Sequence, residues 1–373
     1  MSDFLLVSIL LALTFVIAAF AYTLVARRRT RLRARSSAPG LVPRPEQDVR
    51  LRPHDAEPTQ RSAHSVPAAA AVRPRSDLAA AAAKATPSLH DVKSWGMQLH
   101  RLDIDQAAAS PFDLLVVDPG EGARHPRLRR DDVARLQRKP DGGRRLVLAH
   151  CAIGEAESWR GYWNKDWKVH SPSWLIAENP EWERRFAVRF WEIGWHSIVF
   201  GSTTSMVDRI IACGFDGLYL DDANAIDELR HHFEPVVRSR PDLEGDMVAL
   251  IRAVSAYAKA ARPGTLVILQ NADPLLTRAE LRAAIDAAAK EELLYGLDGP
   301  ERRNLDTDLA YGRGQFDLVR RDGKPVFAIE YLASPIKVRR AREMMAELGY
   351  TLAISRPDRE LDTLDYGPEG SAE

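Results

Sequence analysis

Carboxylates and amides recur in this sequence at one kind of place, just after a short apolar run. Asp118, Glu155, Asp221, Asn271 with Asp273, Glu291 and Glu330 each close or closely follow such a run. Carboxyl groups gathered together can divide their roles. Like charges raise the pKa of one member and keep it protonated near neutral pH while another stays ionised. Acid–base and nucleophilic catalysis need that division. The competing reading is local, since Asp favours the cap position of a helix that follows a strand. One or two cases would mean little, whereas six on one rim favour a shared site.

The elements that must position these groups are short strands alternating with amphipathic stretches. Strands are expected at Gly96–Leu99, Leu114–Asp118, Leu146–Cys151, Gly217–Asp221, Leu266–Gln270, Ala287–Glu291, Val326–Tyr331 and Thr351–Ser355. Helices are expected at Arg130–Arg138, Ser205–Cys213, Gly245–Ala261, Pro274–Ile285, Asp306–Arg320 and Pro335–Leu348. Met247, Leu250, Ile251, Val254 and Tyr257 show the helical spacing of apolar residues. Strand–helix alternation calls for a parallel sheet with right-handed crossovers. Eight strands suit a (β/α)8 TIM barrel, which takes about 250 residues and carries its active site at the carboxyl ends of its strands. The other α/β solution, an open doubly wound sheet, normally shows a Gly-rich phosphate turn after an early strand, and none is present.

The whole chain has 373 residues, with 52 basic and 52 acidic side chains. A net charge of zero gives no support for nucleic-acid binding, and two cysteines exclude a disulfide scaffold or a CxxC zinc site. The average conceals three unequal parts. Residues 4–26 carry no charge and as a helix would reach about 34 Å, enough for a single transmembrane span. A cleaved signal peptide is the alternative, but Asp3 and no basic residue precedes the run. The arginines at 27, 28, 29, 31, 33 and 35 would keep everything after them cytoplasmic. Residues 27–93 form a Pro- and Ala-rich linker with 14 basic and 6 acidic side chains, expected to be disordered. Residues 94–373 carry 38 basic and 45 acidic side chains and form the barrel.

Within that last part, Gly154-Glu155-Ala156-Glu157 is followed by Trp159-Arg160-Gly161-Tyr162-Trp163. Gly214-Phe215-Asp216-Gly217-Leu218-Tyr219-Leu220-Asp221, Gln270-Asn271, Lys290-Glu291, Phe327-Ala328-Ile329-Glu330-Tyr331 and Gly349-Tyr350 come after it in that order. This succession resembles glycoside hydrolase family 114, the endo-α-1,4-polygalactosaminidase family. The GEAE and GFDGLYLD stretches are the specific ones, and the resemblance runs from about Trp95 to Leu361. It implies a TIM barrel and cleavage within α-1,4-linked galactosamine-rich polysaccharide, with no cofactor. It implies that Asp221 and Glu291 are the catalytic carboxylates, one a protonated acid and the other a nucleophile or base. Glu292 competes with Glu291, since a register shift of one residue would exchange them. Asp118, Glu155, Trp163, Asp222, Asn271, Glu330 and Tyr331 are expected to bind substrate.

Departures from the family pattern fall on the rim. His150 stands where the family has Tyr, Ala152 where it has Ser, Ala272-Asp273 where it has Gly-Glu, and Glu330 where it has Asp. These substitutions motivate two rival readings, a carbohydrate-binding barrel without turnover and a hydrolase of another α-glycan. Of the tryptophans between the third and fourth strands, Trp163, with Tyr162, suits a sugar cleft, while Trp182, Trp191 and Trp195 read as core. His150 reads as a hydrogen-bonded structural histidine, with a proton shuttle as its alternative. His231-His232 reads as a solvated helix face, Cys151 as a buried inert thiol, and no metal ligand set is expected. The expected partners are a galactosamine-containing polysaccharide and, through residues 4–26, a membrane. Its side is cytoplasmic by charge and extracytoplasmic by the resemblance.

Overall fold

The computed structural model describes residues 87–120, 127–238 and 240–364. Its frame follows from runs such as Leu114-Leu115-Val116-Val117 and Leu146-Val147-Leu148-Ala149, which are buried at every position. A strand that is apolar on both faces must be covered on both, as in a parallel barrel. In chain order the strands are β1 (Trp95–Gln98), β2 (Leu114–Val117), β3 (Leu146–Ala152), β4 (Glu155–Glu157), β5 (Leu175–Glu178), β6 (Arg185–Val188), β7 (Gly217–Asp221), β8 (Leu266–Gln270), β9 (Ala287–Glu291), β10 (Val326–Tyr331) and β11 (Thr351–Ser355).

Eight of them form one parallel sheet in the order β1-β2-β3-β7-β8-β9-β10-β11. The seam between β1 and β11 is drawn together by Trp95 Nε1 donating to Thr351 O (3.0 Å). Above it, Leu99 N donates to Leu361 O (2.8 Å), so β1 stops at Gln98, one residue short of expectation. Leu148, Tyr219, Ile268, Ala289 and Ile329 fill the barrel interior. Their neighbours Val147, Leu218, Val267, Ala288 and Ala328 pack outward under the helices. The period of two thus sorts each strand into an inner and an outer row. Leu89 and Val92, which composition places in the linker, join the interior cluster near its floor.

The expected helices appear with small shifts. Met206–Cys213 and Pro335–Leu348 end at Gly214 (φ 87°) and Gly349 (φ 67°), which adopt the left-handed conformation open to glycine. Pro274–Ile285 is not one helix. A 3-10 turn, Asp273–Thr277, precedes a helix at Ala279–Ala284, with Arg278 extended between them. Asp273 is tied to Lys290 Nζ (2.7 Å), and Arg282 satisfies the freed carbonyls of Leu276 (2.7 Å) and Thr277 (3.1 Å).

An addition that strand counting missed lies between β3 and β7, an antiparallel sheet in the order β4-β6-β5. Its aromatics pack on one another, with ring centroids of Trp163 and Phe186 at 4.6 Å, Trp167 and Trp174 at 4.9 Å, and Trp174 and Trp195 at 5.1 Å. Trp195 is fully buried and donates to Ile153 O (2.8 Å), which pins the insert to the end of β3. Trp182 and Trp191 are only half-buried, beneath the guanidinium groups of Arg185 and Arg240.

The expectation of a single-pass, membrane-anchored protein is corrected. Among the described residues no helix is long and apolar enough to cross a membrane. The 19-residue helix Leu243–Ala261 has the length but carries Glu244, Asp246, Arg252 and Lys259. The segment 4–26 and the linker up to residue 86 lie outside the described residues.

Candidate active site at the carboxyl end of the barrel

The inner row of each strand continues upward into a polar layer. Two residues beyond Leu148, Tyr219, Ile268, Ala289 and Ile329 come His150, Asp221, Gln270, Glu291 and Tyr331. The ladder β7–β8–β9 puts one strand between Asp221 and Glu291, so their backbones are about 9.6 Å apart at ~4.8 Å per strand. Glu291 continues the inner row and Glu292 does not. Glu292 is buried beside Arg359.

Three successive strand ends share one backbone device. Asp222 (φ 61°), Asn271 (φ 50°) and Glu292 (φ 53°), the residues after β7, β8 and β9, are all left-handed without being glycine. Such conformations cost on the order of 1 kcal/mol or more and collect at functional sites. Each turns the chain sharply after an inward residue. A true close approach occurs at Gly154, where a Cβ would lie 2.0 Å from Asp222 O. The glycine of the GEAE stretch thereby lets the segment after β3 touch the turn after β7.

Both oxygens of Asp221 are occupied. Oδ1 accepts from Asp222 N (2.8 Å), and Oδ2 from His150 Nε2 (3.0 Å). Burial pushes the Asp221 carboxyl up, but the His150 hydrogen bond and charge and the Asp222 N–H outweigh it and hold the group below its usual value. Glu291 is held differently. Asn271 Nδ2 donates to Oε2 (2.6 Å), Asn271 Oδ1 accepts from Glu291 N (3.0 Å), and Tyr331 Oη meets Oε1. Below them Tyr219 is fully buried, and burial with the charges of Glu291 and Asp221 drives its phenol well above the usual value.

Much of the acidic rim is neutralised from within. Arg160 joins Asp118 (2.8 Å) to Glu157 (2.5 Å). Arg185 reaches Asp222 (3.1 Å), Glu155 (3.3 Å) and Glu157 (3.4 Å). Glu155 also accepts from Asn179 Nδ2 (2.6 Å). Asp118 stays low because Arg160 overcomes its burial. Asp222 is pushed up to about 7 by burial, with Arg185 opposing and Asp221, Glu155 and Glu157 adding to the rise. Sequence reading missed Arg160 and Arg185 as organisers of the rim. Arg160 stood in a quoted motif, whereas nothing around Arg185 distinguished it.

The other expected residues fall in different places. Asn271 and Tyr331 come together on Glu291. Trp163 is half-buried in the aromatic cluster of the insert, and Tyr162 Oη accepts from Glu157 N (2.8 Å). Glu330 is in an outer row, has no exposed surface, and accepts from Leu294 N (2.8 Å) and Tyr295 N (3.2 Å). It holds the loop after Glu291 and is not part of the inner row. His231 is exposed as expected, whereas His232 is half-buried. Its Nε2 lies 3.6 Å from Glu228 one turn back on its own helix and 3.2 Å from Glu181 of the insert.

Glu330 gives a pH prediction. Burial lifts its carboxyl from 4.5 to about 8 in the folded protein. A folded-state pKa above the unfolded one gives stability that is complete below the unfolded value and lost as pH rises to the folded one. Stability to urea should therefore decline between pH 4.5 and about 8, with Asp222 contributing in the lower part of that window. Glu330→Gln should flatten most of the decline. A variant whose urea midpoint falls with pH as steeply as that of the unmutated chain would contradict the assignment.

The model of glycoside-hydrolase family GH114 matches residues 75–367. An uncharacterized protein of Deinococcus radiodurans is 34% identical over 284 residues, covering 74% of this chain and 84% of that protein. The uncharacterized protein MJ1477 of Methanocaldococcus jannaschii is 30% identical over 283 residues, covering 73% and 78%. Among solved structures, the glycoside hydrolase domain of PelA from Pseudomonas aeruginosa superposes with a TM-score of 0.53 at 20% identity, over 74% of this chain and 98% of that one. At that identity the likeness is one of fold.

Proposed function

The chain belongs to glycoside-hydrolase family GH114, and from that premise we propose that it cleaves α-1,4-linked galactosamine-rich polysaccharide with Asp221 and Glu291 as its carboxylate pair. The observation that supports the roles is the contrast between their donor sets. Asp221 accepts from a backbone N–H, which has no acceptor capacity, and from an imidazole N–H. It is the ionised partner and supplies the electron pair at the anomeric carbon, directly or through a water. Glu291 Oε1 accepts from a hydroxyl, Tyr331 Oη, which can rotate to accept instead when the carboxyl carries a proton. A proton on Glu291 Oε1 keeps its hydrogen bond, so Glu291 is the group that protonates the leaving oxygen. Asn271 and Tyr331 orient it.

With Asp118, Glu155, Glu157 and Asp222 shared between Arg160 and Arg185, the cleft's remaining negative charge centres on the catalytic pair. An ammonium group on the sugar ring meets that field favourably. The half-buried ring of Trp163 is a surface for a pyranose ring.

The test of substrate is a panel. The purified protein is incubated with partly de-N-acetylated α-1,4-galactosamine oligomers and with other α-glycans, and new reducing ends and product sizes are measured. Release from the galactosamine oligomers is the expected result. Greater release from another α-glycan would reassign the substrate while leaving the chemistry in place.

A further inference from the structure

His150 is the inward residue near the end of β3, paired across the ladder with Tyr219 of β7, and is only 3% exposed. Its Nε2 lies 3.0 Å from Asp221 Oδ2, and against an ionised carboxylate, which only accepts, that nitrogen carries the proton. Its Nδ1 is buried with no hydrogen-bond partner among the described residues. Buried ring nitrogens are ordinarily satisfied. Here the imidazole's one such bond is spent on the carboxylate at the carboxyl end of β7.

We propose that His150 is a positioning residue for the hydrolytic step: it fixes the Asp221 carboxylate in its reacting orientation, and its own charge sets the strength of Asp221 as nucleophile or base. This rests on the reading of Asp221 as the ionised partner.

The groups around the ring are Asp221 from β7, Glu157 and Arg160 from the segment after β3, and Asp118 from the end of β2. Burial and Arg160 disfavour an imidazolium, while Asp221, through both hydrogen bond and charge, and Glu157 favour it, and the balance lies above the usual histidine value. Because Nδ1 lacks a partner, it is the nitrogen that gives up the proton. Nε2–H therefore stays on Asp221 in both protonation states. Geometry is conserved through the titration and only charge changes. An imidazolium stabilises the carboxylate and weakens it as a nucleophile, whereas a neutral ring leaves it stronger. Activity should thus gain an ionisation on its acid side that belongs to His150 and not to either carboxylate.

The experiment compares His150→Gln, which keeps an N–H donor without a titratable charge, with His150→Phe, which has neither. Asp221→Asn serves as the control. Phe should lower kcat by roughly 30- to 100-fold with KM changed less than about twofold, the size expected for losing an orienting contact to a catalytic group. Gln should recover most of kcat but lose the acid-side ionisation from the pH profile of kcat/KM. Long-range proton–nitrogen NMR of the unmutated chain should show His150 Nε2 protonated throughout, with Nδ1 titrating, whether or not the variants fold well. An unchanged kcat and pH profile in the Phe variant, or a neutral ring protonated at Nδ1, would overturn the proposal. An active Asp221→Asn would instead sink the reading of Asp221, whatever the His150 variants do.

Discussion

Asp221→Asn should abolish turnover, with kcat down by about a thousandfold or more, about 4 kcal/mol in the barrier, while the protein stays folded. Asn is close in shape and its Oδ1 can still accept from the Asp222 N–H, which keeps the turn after β7, while its Nδ2 can bond His150 only by donating to an unprotonated Nε2. What disappears is the charge that the site is built to maintain. Burial alone would raise this carboxyl, and the structure works against that with two donors aimed at its two oxygens. An arrangement that opposes its own desolvation marks a group whose ionised form matters. Steady-state rates on α-1,4-galactosamine oligomers, beside a thermal melt matching the unmutated chain, provide the check. A variant with more than about a tenth of the original kcat would show that the negative charge at 221 is dispensable.

The second large effect is on stability. Arg160→Ala should cost roughly 3–5 kcal/mol, the range for breaking one side of a buried ion pair. The side chain is 6% exposed and bridges Asp118 and Glu157, themselves 13% and 3% exposed. Removing the guanidinium leaves two carboxylates of the inner rim without it, next to the Arg185 group. Arg160→Lys should recover only part of the loss, because an ammonium cannot reproduce a fork that engages Asp118 through two nitrogens. Chemical denaturation at pH 7 measures this. A shift below about 1 kcal/mol would mean that the arginine behaves as an exposed pair would.

Most of the barrel was legible in the sequence because its strands are buried on both faces and therefore stand out as apolar runs. All eight expected barrel strands appear, displaced by no more than a residue or two at their ends. The insert was illegible for the opposite reason. β4 reads Glu-Ala-Glu and β6 begins with Arg185, and neither has a pattern that announces a strand, since their charges are satisfied by one another across space. The Pro274–Ile285 break was hidden because a buried Lys290–Asp273 pair, seventeen residues apart in sequence, sets it.

The site divides along the same line. That Asp221 and Glu291 share an inward face follows from the period of two once the strands are placed. That Glu330 faces away follows from the same rule, since it precedes the inward Tyr331 by one residue. What the sequence could not reveal is which carboxylates are already spent. Asp118, Glu155 and Asp222 are expected to bind substrate, and the structure pairs them with two arginines, from the segment after β3 and from β6. The left-handed turns at Asp222, Asn271 and Glu292 were equally hidden, because no glycine marks them.

Turnover of an α-1,4-galactosamine polymer through Asp221 and Glu291 is what we propose for this barrel. It is tested most directly by measuring reducing ends released from defined α-1,4-galactosamine oligomers by the unmutated protein, beside Asp221→Asn and Glu291→Gln. The expected result is steady release by the unmutated chain and near-complete loss in each variant, with oligomer binding retained in both. Binding by all three proteins with no product from any would rule out catalysis by this pair, and would make the barrel a carbohydrate-binding module on a hydrolase frame.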